Sequence, residues 1–212
     1  MIAKPFKEKG FLTKILEKGI KILIKNECKN INNLRVNILA SSLQIIKGKI
    51  EKIHIIAEDI NYRDLLFDKI ELEANEVKII FKIIKKQFNF KNNLIIKFRI
   101  SLSEKSLRKI LLSNSWSWIS NMIAKEIFNQ AILEDIKIRN DQILLKPSSD
   151  KGIENKEEKV DIKTKKGQLY IENKSCNKSI KIPLEKKLFI ENIYLKKNVL
   201  IICANSSINF NY

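Results

Sequence analysis

One histidine, five glycines, three prolines and three cysteines are all that 212 residues contain of those types. Each scarcity removes a class of chemistry. With His54 alone there is no His-rich metal site and no H-E-x-x-H helix. Period-two alternation also puts His54 on the strand face opposite Ile53 and Ile55, as a surface or hydrogen-bonded residue. So few glycines leave little for a phosphate-cradling loop, and no Walker, G-x-G-x-x-G or nucleophile-elbow pattern occurs. Cys28, Cys176 and Cys203 are far apart and odd in number, with no C-x-x-C spacing, so they read as free thiols in a reducing compartment. The carboxylate pairs Glu58–Asp59 and Glu134–Asp135 are sequence neighbours, which on a strand face opposite sides and do not converge for acid–base work. A non-enzyme without metal or cofactor is the expectation.

Long apolar runs are missing too. The first residues, MIAKPFKEKGFLTKILEKGIKILIKNE, interrupt their apolar positions with Lys every three or four residues and carry no small-residue cleavage site. No uncharged apolar run approaches the ~20 residues a spanning helix needs. The expected location is cytoplasmic, at most peripheral to a membrane.

Three residue types are abundant. Ile (40), Lys (36) and Asn (22) make up nearly half of the chain, whereas Arg occurs five times. All three have A/T-rich codons, so genome composition and function are even candidates for the skew. Whatever its origin, a net charge of +17 draws anionic partners. The preference for Lys speaks against sequence-specific DNA reading, where bidentate Arg contacts lead.

The clearest element is a basic amphipathic helix. At 100° per residue, Phe11, Leu12, Ile15, Leu16, Ile20, Ile22 and Leu23 fall within one half of the wheel, and Lys14, Lys18, Lys21 and Lys25 gather within about 60° on the other. Such a helix either packs on a sheet as an ordinary surface helix or also faces an anionic membrane through its lysines. Strands follow to about residue 102. Ile53, Ile55 and Ala57 share one face; Ile70, Leu72 and Ala74 share a face of the next strand, after a Tyr62-Arg63 connector. Leu94, Ile96, Phe98, Ile100 and Leu102 alternate likewise, and Gly48 marks a turn or bulge.

Ser103 is the expected N-cap of a second helical region reaching to about residue 130. Its uncharged stretch ILLSNSWSWISNMIA holds both tryptophans and reads as a buried helix or one lining a lipid cavity. As one continuous helix it aligns Leu107, Leu111, Trp118 and Met122 in a stripe. Hairpins are expected at Asn140-Asp141, Lys166-Gly167 and Lys196-Lys197-Asn198, with a mobile polar loop at 147–159.

From Gly48 to Ile79 the glycine turn, alternating strand, Tyr-containing connector and second alternating strand KIELEANEVKI resemble the LmeA-like family of phospholipid-binding proteins, found in cyanobacteria and actinobacteria. The likeness continues through Leu94–Leu102 into Ser103-Glu104-Lys105-Ser106-Leu107, and ends with the hairpin of 188–195 and 199–204. It implies a lipid-binding α+β fold: an elongated, curved antiparallel sheet of hairpins wrapped around one long helix, like the tubular lipid-binding proteins, with the N-terminal amphipathic helix added. The chain departs from the family in lacking a secretory signal and in placing Lys or Asn at turns where glycine is expected.

The expectation is therefore a single domain, 1–212, with an amphipathic helix (1–30), strands (31–102), a helix (103–130) and hairpins (131–212). It binds phospholipid or another acyl lipid peripherally at an anionic membrane, without catalysis and with no specific nucleic acid. Phe98, Leu107, Leu111, Trp118 and Met122 are expected to line the cavity, and Lys14, Lys18, Lys21 and Lys25 to face the membrane. A basic nucleic-acid module and a structural or assembly protein are the rival readings. Against the nucleic-acid module, aromatics are not interleaved with basic residues on a strand face.

Overall fold

Four reversals of the chain are made by two-residue turns in which both residues are left-handed: Arg63-Asp64 (φ 50° and 65°), Asn140-Asp141 (50° and 53°), Lys166-Gly167 (51° and 74°) and Lys197-Asn198 (53° and 58°). Paired positive φ marks the type I′ hairpin, whose twist matches that of the strands it joins. Only one of the four contains glycine. At Asn and Asp the left-handed region is tolerated through local side-chain hydrogen bonding, whereas Arg63, Lys166 and Lys197 bear the full steric cost of Cβ.

The computed structural model describes residues 10–82, 87–91, 93–130, 132–148 and 156–208. In chain order the elements are α1 (Phe11–Glu27), β1 (Asn30–Leu39), α2 (Ser42–Ile46), β2 (Lys49–Tyr62), β3 (Leu65–Lys82), β4 (Gln87–Phe90), β5 (Leu94–Ser103), α3 (Glu104–Leu111), α4 (Ser117–Phe128), β6 (Leu133–Arg139), β7 (Gln142–Pro147), β8 (Glu158–Lys165), β9 (Gln168–Asn173), β10 (Lys178–Ile182), β11 (Leu188–Lys196) and β12 (Val199–Ile208). They form two antiparallel sheets. The first runs β1-β2-β3-β5-β12-β11, with β4 paired to β3; the second runs β10-β9-β8-β7-β6.

This corrects the expected architecture. Among the described residues the fold is mostly β, and no long helix has a sheet wrapped around it. Two local facts explain the difference. First, the expected helix at 103–130 is broken at Leu112–Trp116, where Ser113 Oγ donates to Ile110 O (2.8 Å), Ser115 Oγ to Asp64 (2.9 Å) and Trp116 Nε1 to Arg63 O (3.2 Å). The segment thus docks on the β2–β3 turn instead of continuing its own ladder, as Ser-rich sequence allows. Second, strands β6 to β10 pair only among themselves, while β12 returns to pair β5, so the C-terminal hairpins divide between the two sheets. Within the expected run of strands, Ser42–Ile46 forms a helical turn, α2, opened by a capping box between Ser41 and Gln44. Of the expected loop, residues 149–155 lie outside the described residues, as do residues 1–9 of the expected N-terminal helix.

Two apolar clusters hold the layers. One packs α1 and α2 on β1, β2 and the far half of β3, through Leu16, Ile20, Ile45, Ile53 and Val77. The other packs α3, α4 and the second sheet on the near half of β3 and on β5, β11 and β12, through Leu102, Ile123, Ile127, Leu145 and Leu200. The buried polar side chains are partnered. Thr13 Oγ1 donates to Ala40 O (3.1 Å), Ser120 Oγ to Ser117 O (2.8 Å) and Asn173 Nδ2 to Glu158 Oε2 (2.5 Å).

Candidate functional site: an apolar cavity between the sheets

Cross-strand register turns the period-two pattern into a surface. One row of partners crosses the first sheet as Ile55, Leu72, Phe98, Ala204 and Ile190; a second crosses it as Ala57, Ile70, Ile100, Ile202 and Ile193. All ten side chains line one cavity of about 730 Å³. Ile190 and Ile193 are three apart and would face opposite sides of a regular strand; the register shift between Ile190 and Asn192 puts both on the floor. The opposite wall comes from the second sheet, where Ile143 pairs Val160, Ile162 pairs Ile171, and Leu169 pairs Ile182.

Helices complete the lining. α3 and α4 supply Leu107, Ile110, Leu111, Ile119 and Ile123. Their placement is fixed by polar contacts outside the cavity. Asp68 accepts from Ser103 Oγ (2.9 Å) and Ser103 N, Ser103 caps α3 by accepting from Ser106 N (3.3 Å), and Glu104 accepts from Ile138 N (2.7 Å). The last turn of α1 adds Leu23, Ile24 and Glu27, together with Cys28 and Ile31. Leu23 is 59% exposed and Leu184, on the β10–β11 connection, 37%. At these two places the lining reaches solvent.

Polar groups are few and peripheral. Among the lining residues only Glu27, Cys28 and Tyr62 carry them. Burial, with the nearby Glu27 charge adding to it, raises the Cys28 thiol above its ordinary value, so it stays protonated and unreactive at neutral pH. Acids on the outer surface are occupied structurally: hydrogen bonds from Lys29 and Ser115 hold Asp64 below the usual carboxylate range, and one from Lys69 does the same for Glu71. Among the described residues no cluster of His, Cys, Asp and Glu is placed to hold a metal ion, and no helix is long and apolar enough to cross a membrane.

Phe98, Leu107 and Leu111 are on the lining. Trp118 and Met122 are not. Trp118 lies on the outer side of α4, 44% exposed and with its ring centroid 6.3 Å from that of Trp116, whereas Met122 is half-buried against the core but off the cavity. The stripe that joined them to Leu107 assumed an unbroken helix. The break at Leu112–Trp116 resets the phase, and Ile119 and Ile123 face inward instead. The second sheet's share of the wall was present in the sequence as alternating hairpins, but nothing local said that they would face the first sheet. On α1, Lys14, Lys18 and Lys25 are exposed and Lys21 is half-buried. Thr13, Leu16 and Ile20 form its buried face, so Phe11, Ile22 and Leu23 are left in water.

No family model, curated protein or solved structure matches the chain.

Proposed function

We propose that the protein binds phospholipid or another acyl lipid in this cavity, peripherally at an anionic membrane and without catalysis. The cavity carries the reading. Its volume of about 730 Å³ falls in the usual range of ~300–1,000 Å³ for ligand sites. Its walls are Ile, Leu, Val, Ala and Phe apart from the three polar residues named above, so an aliphatic chain is the chemistry that matches the interior. Each methylene buried contributes about 0.8 kcal/mol, so a long acyl chain supplies on the order of 10 kcal/mol gross before ordering and desolvation costs. A headgroup is left to the solvent-open lip of the lining at Leu23. Lys14, Lys18, Lys21 and Lys25 on α1 supply attraction to anionic headgroups, roughly 1 kcal/mol each where they approach the surface.

Native mass spectrometry of the purified protein, followed by lipid extraction, tests the reading. The expected result is a co-purified or back-loaded acyl lipid at one molecule per chain, displaced by a bulky residue on the cavity floor. Protein that stays lipid-free after incubation with mixed vesicles, and instead binds oligonucleotides with a steep salt dependence, would overturn it.

A further inference from the structure

The outer face of α1 is not the plain lysine face of a surface helix. With Leu16 and Ile20 turned inward, Phe11 and Ile22 point outward alongside Lys18 and Lys25, all within about 60° on the wheel. Phe11 is 75% exposed. Next to it, α2 buries Ile45 completely and exposes Leu43 and Ile46, which share a face at a spacing of three. The two helices start side by side: Gly10, which precedes Phe11, is so close to Ser42, which precedes Leu43, that a Cβ on Gly10 would meet Ser42 Oγ at 2.2 Å. Thr13 ties the same region to Ala40. Five large apolar side chains, Phe11, Ile22, Leu23, Leu43 and Ile46, are thus left in water on these two helices, within a strongly basic stretch. Residues 10–50 contain eight Lys or Arg against two Glu.

We infer that this α1–α2 face is a membrane-inserting surface: Phe11, Ile22, Leu43 and Ile46 enter the headgroup–acyl boundary of an anionic bilayer while the neighbouring lysines pair with lipid phosphates. Apolar anchors interleaved with Lys on one helix face are the composition of an in-plane interfacial helix. A protein partner of matching acidity would answer the charge but not the spread of separate aliphatic anchors among lysines, which a fluid bilayer accommodates at any spacing. The inference rests on the lipid-site reading in one respect. Helix α1 runs from the inserted Phe11 to Leu23 at the cavity lip, so docking sets the solvent-open end of the lining beside the bilayer and the helix serves as the guide for a chain moving between them.

Co-sedimentation with vesicles of phosphatidylcholine and phosphatidylglycerol tests it, using the full chain and the double variant Leu43→Asp, Ile46→Asp. The variant should partition more weakly, by on the order of tenfold or more. The unaltered protein should keep part of its binding at about 0.5 M NaCl, where headgroup attraction is largely screened. Equal binding by variant and parent, or complete release of the parent by salt, would overturn insertion and leave only surface attraction. Should the variant change its circular dichroism, Leu43→Trp gives an independent reading: bromine on the lipid acyl chains should quench its emission beyond that of the parent's Trp116 and Trp118. No added quenching counts against insertion. A shift from dimer to monomer in the variant with vesicle binding unchanged would also overturn it, by assigning the face to a second copy of the chain. Lipid occupancy by mass spectrometry separates the two readings, since an empty protein that still inserts defeats the cavity and not the docking face.

Discussion

Asp141 and Asn198, the second residues of two different hairpin turns, exchange hydrogen bonds: Asp141 N donates to Asn198 Oδ1 (3.0 Å) and Asn198 N to Asp141 Oδ1 (2.7 Å). One turn joins β6 to β7 in the second sheet, the other joins β11 to β12 in the first. The pair is a staple across the two layers that face the cavity, and the left-handed backbone at both residues aims their amides and side chains at each other. Alanine at either position should cost about 1 kcal/mol, and the double variant about twice that, because each change deletes one side-chain acceptor and so one of the two bonds. Urea unfolding of the four-member cycle measures this; single variants that leave stability unchanged would show that the two turns stand independently.

The cavity floor offers a cleaner test of occupancy than its polar edge. Ala204 is buried between Phe98 and Ile190 in the first cross-strand row. Replacing it by Leu adds bulk into open volume. Lipid occupancy should fall on the order of tenfold while the midpoint of thermal unfolding holds or rises by a few degrees. A drop in stability with unchanged occupancy would place the void elsewhere than beside Ala204.

Two glycines are constrained for different reasons. Gly167 (φ +74°) lies under the Phe189 ring, where an added Cβ would come within 2.1 Å of ring Cδ2; at Gly48 (φ +72°) the obstacle is Ile79 O at 2.4 Å, which is backbone. Gly48 O also accepts from Ile79 N at 2.9 Å. Alanine at either site should destabilise by roughly 1–2 kcal/mol from backbone conformation alone, with a steric cost added. Phe189→Ala should recover the steric part for Gly167→Ala in denaturant titrations, because the ring is half-exposed and its loss is tolerated. No side-chain deletion should rescue Gly48→Ala.

Acid stability should depend on Glu172. Lys163 and Lys165 both donate to its carboxylate at 2.6 Å and hold its pKa down at about 2. In the unfolded chain the same group takes up its proton nearer 4.5, the unperturbed value. The folded state therefore gains from this ion cluster in full above about 4.5, and loses the gain progressively as the pH falls to about 2. Urea midpoints measured from pH 6 downward should decline over that window, and Glu172→Gln should flatten the decline. Both lysines are about half-exposed, so added salt should weaken the effect.

What could be read from the sequence follows the range of the forces involved. Ile55, Leu72 and Phe98 were legible as inward residues because alternation is set by the pleat itself. The hairpin turns were legible from Asn140-Asp141, Lys166-Gly167 and Lys197-Asn198, although two of them place Lys where the backbone favours glycine. Leu107 and Leu111 were assigned to the lining before the helix break and Trp118 and Met122 after it, and only the first two are there. That break is decided by Asp64 and Arg63, about fifty residues away, and no helical period contains such information. The partition of the hairpins into two sheets was out of reach for the same reason. Each hairpin satisfies its own register, and which sheet it joins depends on a distant strand edge. The inward turn of Ile190 hangs on a single register shift that leaves no apolar signature.

The two cavity walls are each held by their own ladder of hydrogen bonds and joined at one end by the Asp141–Asn198 pair, so the space between them cannot close by small side-chain movements. Unfolding eliminates that space, and the molar volume of the system falls as it does so. Hydrostatic pressure should therefore be the perturbation that the empty protein resists least, with a volume change toward the large end of the usual ~20–100 mL/mol. An occupant that fills the space removes the compressible void, which makes the pressure midpoint a direct gauge of whether the interior is empty or full.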